Sequence, residues 1–308
     1  FKEFWIKPNE IPGNEKNEFK KVFEEELKYS EEYYENDKTV PDFYKNALNI
    51  LNSTSIRCLR ISDSNTTGLL GSDKEIHSPW SNLTKNSGVT DKPEGSAGSK
   101  GKGKFASFIC SELYTVFYST KSNDGLDASC GISRLSGYKK SDETITIGER
   151  YYEDDNKPLK YCLNLDKNYI RTTYGTDIYI IGFKNSENWK EKMCSAIIEN
   201  FFVAIYKGDL VVNIGEDFEI SKNTIGELIS NKSISDFLLL DTDCYYKILV
   251  AGDDEILSKS YSMFENDDIE LLLRKDDIDI NDVNKVATVR TDTNKVMGIV
   301  GDDYSVCQ

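Results

Sequence analysis

A single histidine, His77, is all the imidazole this chain of 308 residues carries. That scarcity nearly excludes a His-rich zinc site and a Ser-His-Asp triad. His77 lies in a polar stretch between two motifs described below and reads as a surface or lid residue. Paired cysteines are missing too. Seven cysteines stand at 58, 110, 130, 162, 194, 244 and 307, an odd number with no C-x-x-C pair. The pattern suits reduced thiols in a cytoplasm, with Cys58 and Cys110 expected inside strand or helix cores, and argues against a disulfide frame. No apolar run approaches the roughly 18 residues that cross a bilayer, and no secretory signal stands at Phe1. Positive charge is in deficit: 38 Lys and Arg face 53 Asp and Glu, for a net charge of −15. The acid is concentrated late, with fourteen acidic against six basic residues between Asp253 and Asp303. Such a segment repels a phosphate backbone, so direct nucleic-acid binding by it is not expected. A solvated acidic face and an acidic docking surface for a partner protein both fit.

What the chain does have is room for two domains of ordinary size. Hydrophobic residues at 38% and charged residues at 30% describe a soluble globular protein. Phe19, Val22, Phe23, Leu27 and Tyr34 recur at near-helical spacing between Asn17 and Asn36, where Pro41 ends the run. Asp42 to Leu51 reads as a second short helix, and Ile56 to Ser62 as a strand. Residues 72–104 are polar and glycine-rich with no periodic core face. A loop that long inside a compact domain is functional or disordered. Leu113 to Thr120 and Asp177 to Phe183 read as strands of one sheet, with another strand or hairpin in Tyr151 to Leu165. The expected architecture is an α/β sandwich with helices on one face of a mixed sheet. A second unit starts near residue 186: a helix over Trp189 to Ile205, a strand at Asp209 to Ile214, a helix at Asn223 to Ile229, and strands at Cys244 to Ala251, Ile269 to Leu273 and within 285–300.

Three short segments point to a ligand. The first is Gly95-Ser-Ala-Gly98-Ser-Lys100-Gly101-Lys102-Gly103-Lys104-Phe105-Ala-Ser-Phe108, with the spacing G-x-x-G-x-G. Glycines let the backbone approach an anion closely. An amphipathic helix is expected next, with Phe105, Phe108, Ile109 and Leu113 on one face; its N-terminus would offer free N–H donors to phosphates. Lys100, Lys102 and Lys104 stand in the same loop, Lys104 being closest to the helix start. A flexible surface loop with solvated lysines is the plain alternative. The second segment is Asp63-Ser-Asn65-Thr-Thr67-Gly68-Leu-Leu-Gly71, at the end of the strand 56–62. A carboxylate there can accept a hydrogen bond from the exocyclic amine of adenine. Asn65, Gly68 and Gly71 tolerate the positive φ that such a turn asks for. An ordinary Asx turn explains the same residues. The third is Tyr174-Gly175-Thr176-Asp177, opening an almost wholly apolar strand; Thr176 could reach the carboxylate of Asp63 directly or through water, or simply satisfy a turn.

Aspartate turn, then glycine loop and helix, then Gly-Thr strand: this order resembles the GHKL ATPase superfamily, which includes gyrase B, the ninety-kilodalton heat-shock chaperones, histidine kinases and the MutL proteins. Ser62 to Leu69, Pro79-Trp80, Asn86-Ser-Gly88-Val89 and Gly101 to Ala106 are similar to motifs of bacterial GHKL proteins encoded in phage-defence systems. The resemblance covers roughly residues 1–215. It implies a Bergerat-type α/β sandwich ATPase domain over 1–185, with residues 72–104 as its lid. A smaller α/β transducer-like domain would follow over 186–308, with Arg290 or Lys295 reaching a γ-phosphate. It further implies ATP and Mg²⁺ as cofactors, ATP-driven lid closure and homodimerisation, and an effector or partner protein of the same system. On this resemblance Asp63, Asn65, Thr67, Gly68 and Thr176 hold the nucleoside. Gly98, Lys100, Gly101, Lys102, Gly103, Lys104 and Phe105 hold the phosphates.

One motif of that family is not evident. Its N-box, Glu-x-x-x-Asn, supplies an asparagine for Mg²⁺ and a glutamate for the hydrolytic water. Asp42-x-x-x-Asn46 carries aspartate in place of glutamate, and Glu32-x-x-x-Asn36 lies in a highly charged segment. Phe1 to Pro8 looks like the strand that follows the N-box helix, which places the N-box itself upstream of Phe1. Two further functions are kept beside the ATPase. One is a nonhydrolysing nucleotide-binding scaffold that docks partner proteins. The other is a P-loop NTPase, because Gly98-x-x-x-x-Gly103-Lys104 matches the Walker pattern up to Phe105, where Ser or Thr belongs.

Overall fold

The computed structural model divides the chain into two compact units, Phe1–Ser186 and Glu187–Gln308. It describes residues 1–85 except 35 and 75, residues 103–239 except 141, 142 and 185, and residues 242, 243, 246 and 250. Beyond those it describes the backbone of four strands within 256–307.

The first unit is built on β1 (Lys2–Ile6), α1 (Glu18–Tyr33), α2 (Thr39–Leu51), β2 (Ile56–Ser62), α3 (Pro79–Thr84), α4 (Phe105–Ile109), β3 (Ser111–Lys121), β4 (Asp127–Arg134), β5 (Glu149–Tyr152) and β6 (Gly175–Phe183). Six strands form one sheet in the order β1-β2-β6-β3-β4-β5, and every ladder in it is antiparallel. The expected mixed sheet is therefore corrected to an antiparallel one. β1 pairs with β2 along its whole length, Phe4 opposite Cys58.

Helices cover both faces, not one. Side chains alternate across a strand, and the alternation sorts the core into two clusters. On one face Cys58, Phe117, Tyr179 and Ile181 pack with Phe23 of α1 and with Tyr44, Ala47 and Leu51 of α2. On the other, Val116, Tyr118, Cys130, Ile132 and Ile178 pack with Trp80 of α3 and Phe108 of α4. Each fully buried large side chain contributes about 1.5–3 kcal/mol, so this double layer fixes the register of the central strands. Pro41 lies in the first turn of α2, where its missing N–H costs nothing, and does not terminate a helix there.

Two elements answer poorly to the sequence pattern. β4 reads Asp-Ala-Ser-Cys-Gly-Ile-Ser-Arg, too small and polar to look like a strand, yet Ala128, Cys130 and Ile132 alternate into the core. Gly131 faces the ring of Phe117 so closely that a Cβ would collide with it. α3 lies inside the stretch expected to be a lid without a core face. Ser78 caps it, accepting from Ser81 N at 3.1 Å, Pro79 opens it, and Trp80 is buried.

In the second unit, α5 (Trp189–Lys207) is kinked at Phe201 and ends at Gly208 in the left-handed region. The hairpin of β7 (Val212–Ile214) and β8 (Phe218–Ile220) follows, then α6 (Ile225–Ser230) and α7 (Lys232–Ser235). Ser195 Oγ donates to the Ile234 carbonyl at 3.0 Å and ties α5 to α7. The strand expected at Cys244 to Ala251 is corrected, because its described residues, Tyr246 and Val250, are helical. The one expected at Ile269 to Leu273 lies outside the described residues. β9 (Ile256–Tyr261), β10 (Val286–Thr291), β11 (Val296–Val300) and β12 (Ser305–Cys307) form a sheet in the order β12-β11-β10-β9, with β9 and β10 parallel.

Candidate nucleotide site

β2 ends at Ser62, opposite Asp177 of β6, and β6 begins at Gly175, opposite Lys121 of β3. The turn after β2 and the start of β6 therefore share one end of the sheet. There the backbone N–H of Thr176 donates to Asp63 Oδ1, and Asp63 N donates to the Thr176 carbonyl at 3.0 Å. Thr66 Oγ1 donates to Asp63 Oδ2 at 2.8 Å. The hydroxyl of Thr176 does not reach the carboxylate. It sits 3.3 Å from Thr120 Oγ1, so the backbone, not the side chain, makes the contact expected of Thr176.

The turn takes the conformation its residues allow. Asn65, Gly68 and Gly71 have φ of 60°, 67° and 71°. At Gly68 an added Cβ would lie 2.9 Å from both Thr120 Oγ1 and Ser122 Cα, so only glycine fits there. Leu69 N donates to Thr120 Oγ1 at 2.9 Å, Asn123 N to the Thr67 carbonyl at 3.0 Å, and Gly71 N to Asp124 Oδ2 at 2.9 Å. These bonds lash the turn to the β3–β4 hairpin. Asp63, Asn65 and Thr67 remain exposed. A carboxylate offers about four acceptor positions; Asp63 uses two, which leaves acceptor capacity directed at solvent.

Beneath the turn lies a buried ion pair that sequence reading missed. Arg171 Nε donates to Asp177 Oδ2 at 2.7 Å and Nη2 to Oδ1 at 2.6 Å, with both side chains almost wholly buried. The same Nη2 donates to the Asp63 carbonyl at 2.9 Å and the Thr176 carbonyl at 3.0 Å. The signal available was Arg171 six residues before an aspartate at a strand opening.

The glycine-loop residues occupy another place. Gly98, Lys100, Gly101 and Lys102 lie outside the described residues. Gly103, Lys104 and Phe105 lead into α4, which feeds the Ser111 end of β3, whereas Asp63 sits by its Lys121 end. α3 stands between: Trp80 N donates to the Leu70 carbonyl at 3.2 Å, and Lys104 Nζ to the Asn82 carbonyl at 3.0 Å. A nucleotide touching both groups would run along α3. The helix after the loop is also shorter than expected. α4 has five residues, Ile109 and Cys110 are exposed, and Leu113 belongs to β3.

Asp42, Asn46, Glu32 and Asn36 are all exposed, and α2 packs on the face opposite α3. No group of three or more His, Cys, Asp or Glu able to hold a metal occurs among the described residues. His77 is exposed with φ of 57°. Arg290 lies on β10, and Lys295 falls outside the described residues. Among the described residues, no helix is long and apolar enough to cross a membrane.

Three buried polar atoms have no hydrogen-bond partner among the described residues: Trp80 Nε1, Arg134 Nε and Glu153 Oε1. All belong to α3 or to the β4–β5 region. No protein-family model, curated protein or solved structure matches the chain.

Proposed function

We propose that the chain is an ATP-binding switch module of the GHKL type. The observation that carries this reading is the meeting of Asp63 with the Gly175-Thr176 strand start, across 113 residues of chain, with the carboxylate exposed. A fixed carboxylate with spare acceptor positions at a strand end suits the exocyclic amine of adenine. Lys104 and the loop before it would serve the phosphates. ATP, Mg²⁺, lid closure with dimerisation, and an effector or partner protein in a bacterial anti-phage system complete the proposal. Mg²⁺ keeps several waters and binds largely through phosphates, so it would arrive with the nucleotide. The test is a titration of Mg-ATP into folded wild-type protein and Asp63→Asn. A charge-assisted hydrogen bond is worth about 1.5–3 kcal/mol, so the variant should bind on the order of 100-fold more weakly. Equal affinity would overturn the proposal.

A nonhydrolysing scaffold is the second reading, favoured by the outward direction of Asp42, Asn46, Glu32 and Asn36. ATP binding without phosphate release would select it. The P-loop alternative loses ground. That motif joins a strand of a parallel sheet to a helix, and every ladder of the first unit's sheet is antiparallel.

A further inference from the structure

A phosphate site that cannot lean on a helix N-terminus needs side-chain cations. α4 is five residues long, and its N-cap, Lys104, makes no side-chain cap. The region holds a second cation that the motif reading did not include. Arg134 ends β4, on the face that α3 and α4 cover. Its guanidinium carbon lies 4.5 Å from the centre of the Phe105 ring and 4.9 Å from that of Phe108. Two rings from α4 thus fix the plane of the fork. Arg134 Nη1 meets Glu149 Oε1 at 3.0 Å, while the buried Nε has no partner among the described residues.

We propose that Arg134 and Lys104 form an anion subsite that takes the terminal phosphoryl group of the nucleotide, with Glu149 as the resting partner of Arg134. This rests on the nucleotide reading above. Guanidinium presents five donors in a rigid fork that matches phosphoryl oxygens, and an unsatisfied Nε is a donor in wait for an acceptor. The Phe105 ring against the Arg134 guanidinium brings the start of α4, and Lys104 with it, to this arginine, and Lys104 is held below its ordinary pKa by burial first and by the repelling charge of Arg134 second. Glu149 is the carboxylate that answers them there. It is shared: Tyr151 OH donates to its other oxygen at 2.8 Å. An arriving phosphoryl group would relieve the repulsion between the two cations. Because Phe105 directly follows Lys104, the ring stack joins the end of the glycine-rich segment to this same arginine.

The experiment is calorimetric titration of inorganic tripolyphosphate, Mg-ATP and adenosine into wild type, Arg134→Gln, Arg134→Lys and Glu149→Gln, each checked for folding by circular dichroism. Arg134→Gln should weaken tripolyphosphate and ATP by about 10- to 100-fold, the worth of a charge-assisted hydrogen bond, and leave adenosine unchanged. Arg134→Lys should recover only part of the loss, since it restores charge without the fork. Glu149→Gln should tighten tripolyphosphate. A folded Arg134→Gln that binds ATP and tripolyphosphate like wild type overturns the subsite while leaving the ATP reading intact. Tripolyphosphate binding that needs Arg134, in a protein that does not bind ATP, supports the subsite and overturns the ATP reading. Wild type that binds neither overturns both. If Arg134→Gln does not fold, an unchanged tripolyphosphate affinity in Glu149→Gln overturns the subsite.

Discussion

The backbone N–H of Thr176 donates to the carboxylate of Asp63, although the two lie 113 positions apart. The bond exists because β2 and β6 are antiparallel neighbours that finish and start at the same sheet end. The proposed adenine contact grows from that meeting point.

The pair beneath it sets the stability of the site. Arg171 and Asp177 are both buried and doubly hydrogen-bonded to each other. Removing one partner strands a charge in the interior. Arg171→Met should destabilise the first unit by about 3–5 kcal/mol, read from urea unfolding. A loss under about 1 kcal/mol, the usual worth of an exposed pair, would show that the pair is not structurally required.

Two glycines are fixed by space as well as by φ. Gly68 has φ of 67°, and at Gly175, with φ of 148°, a Cβ would meet the Asp63 carbonyl and Arg171 Nη1. Alanine at either position should cost about 1–3 kcal/mol and shift the aspartate turn. Thermal melts of Gly68→Ala and Gly175→Ala check this; melting temperatures equal to wild type would contradict it.

Stability should also fall with pH through an identifiable group. Glu26 of α1 is buried, with Arg150 Nη2 at 2.7 Å and Tyr44 OH at 3.1 Å. Burial raises its pKa from 4.5 to about 7, against the opposing pull of Arg150. The folded state therefore holds a proton that the unfolded state has lost across that interval. Stability is fully present below pH 4.5 and declines as pH rises to about 7, by on the order of 1–3 kcal/mol. Glu10, Glu18, Asp37 and Asp124 are held below their ordinary values and titrate beneath this window. Glu26→Gln should flatten the slope between pH 4.5 and 7 in urea unfolding at stepped pH. An unchanged slope would assign the effect elsewhere.

Elements with strong periodicity were legible in the sequence. α1 and α2 show their apolar stripes, and Ile56 to Ser62, Leu113 to Thr120 and Asp177 to Phe183 are rich in β-formers. The positive φ of Asn65, Gly68 and Gly71 followed from residue type alone. β4 was not legible by propensity, because its residues are small and polar and its Gly131 is required by the Phe117 ring. Its period-two placement of Ala128, Cys130 and Ile132 was the clue. α3 hid in a polar stretch, although Ser78-Pro79 is a helix-start signal. In the candidate site, the partnership of Asp63 with Thr176 came from motif order, but the donating group is the backbone N–H and not the hydroxyl. Arg134 could not be found that way. Its role depends on the two rings that α4 brings to it and the one carboxylate that β4–β5 pairing brings.

The most direct measurement is a crystal structure of the protein soaked or grown with Mg²⁺ and a nonhydrolysable ATP analogue. Expected is the adenine amine within hydrogen-bonding distance of the Asp63 carboxylate, beside Thr176. Purine density seated elsewhere, with the carboxylate at 63 still bound only to Thr176 N–H and Thr66, would contradict it.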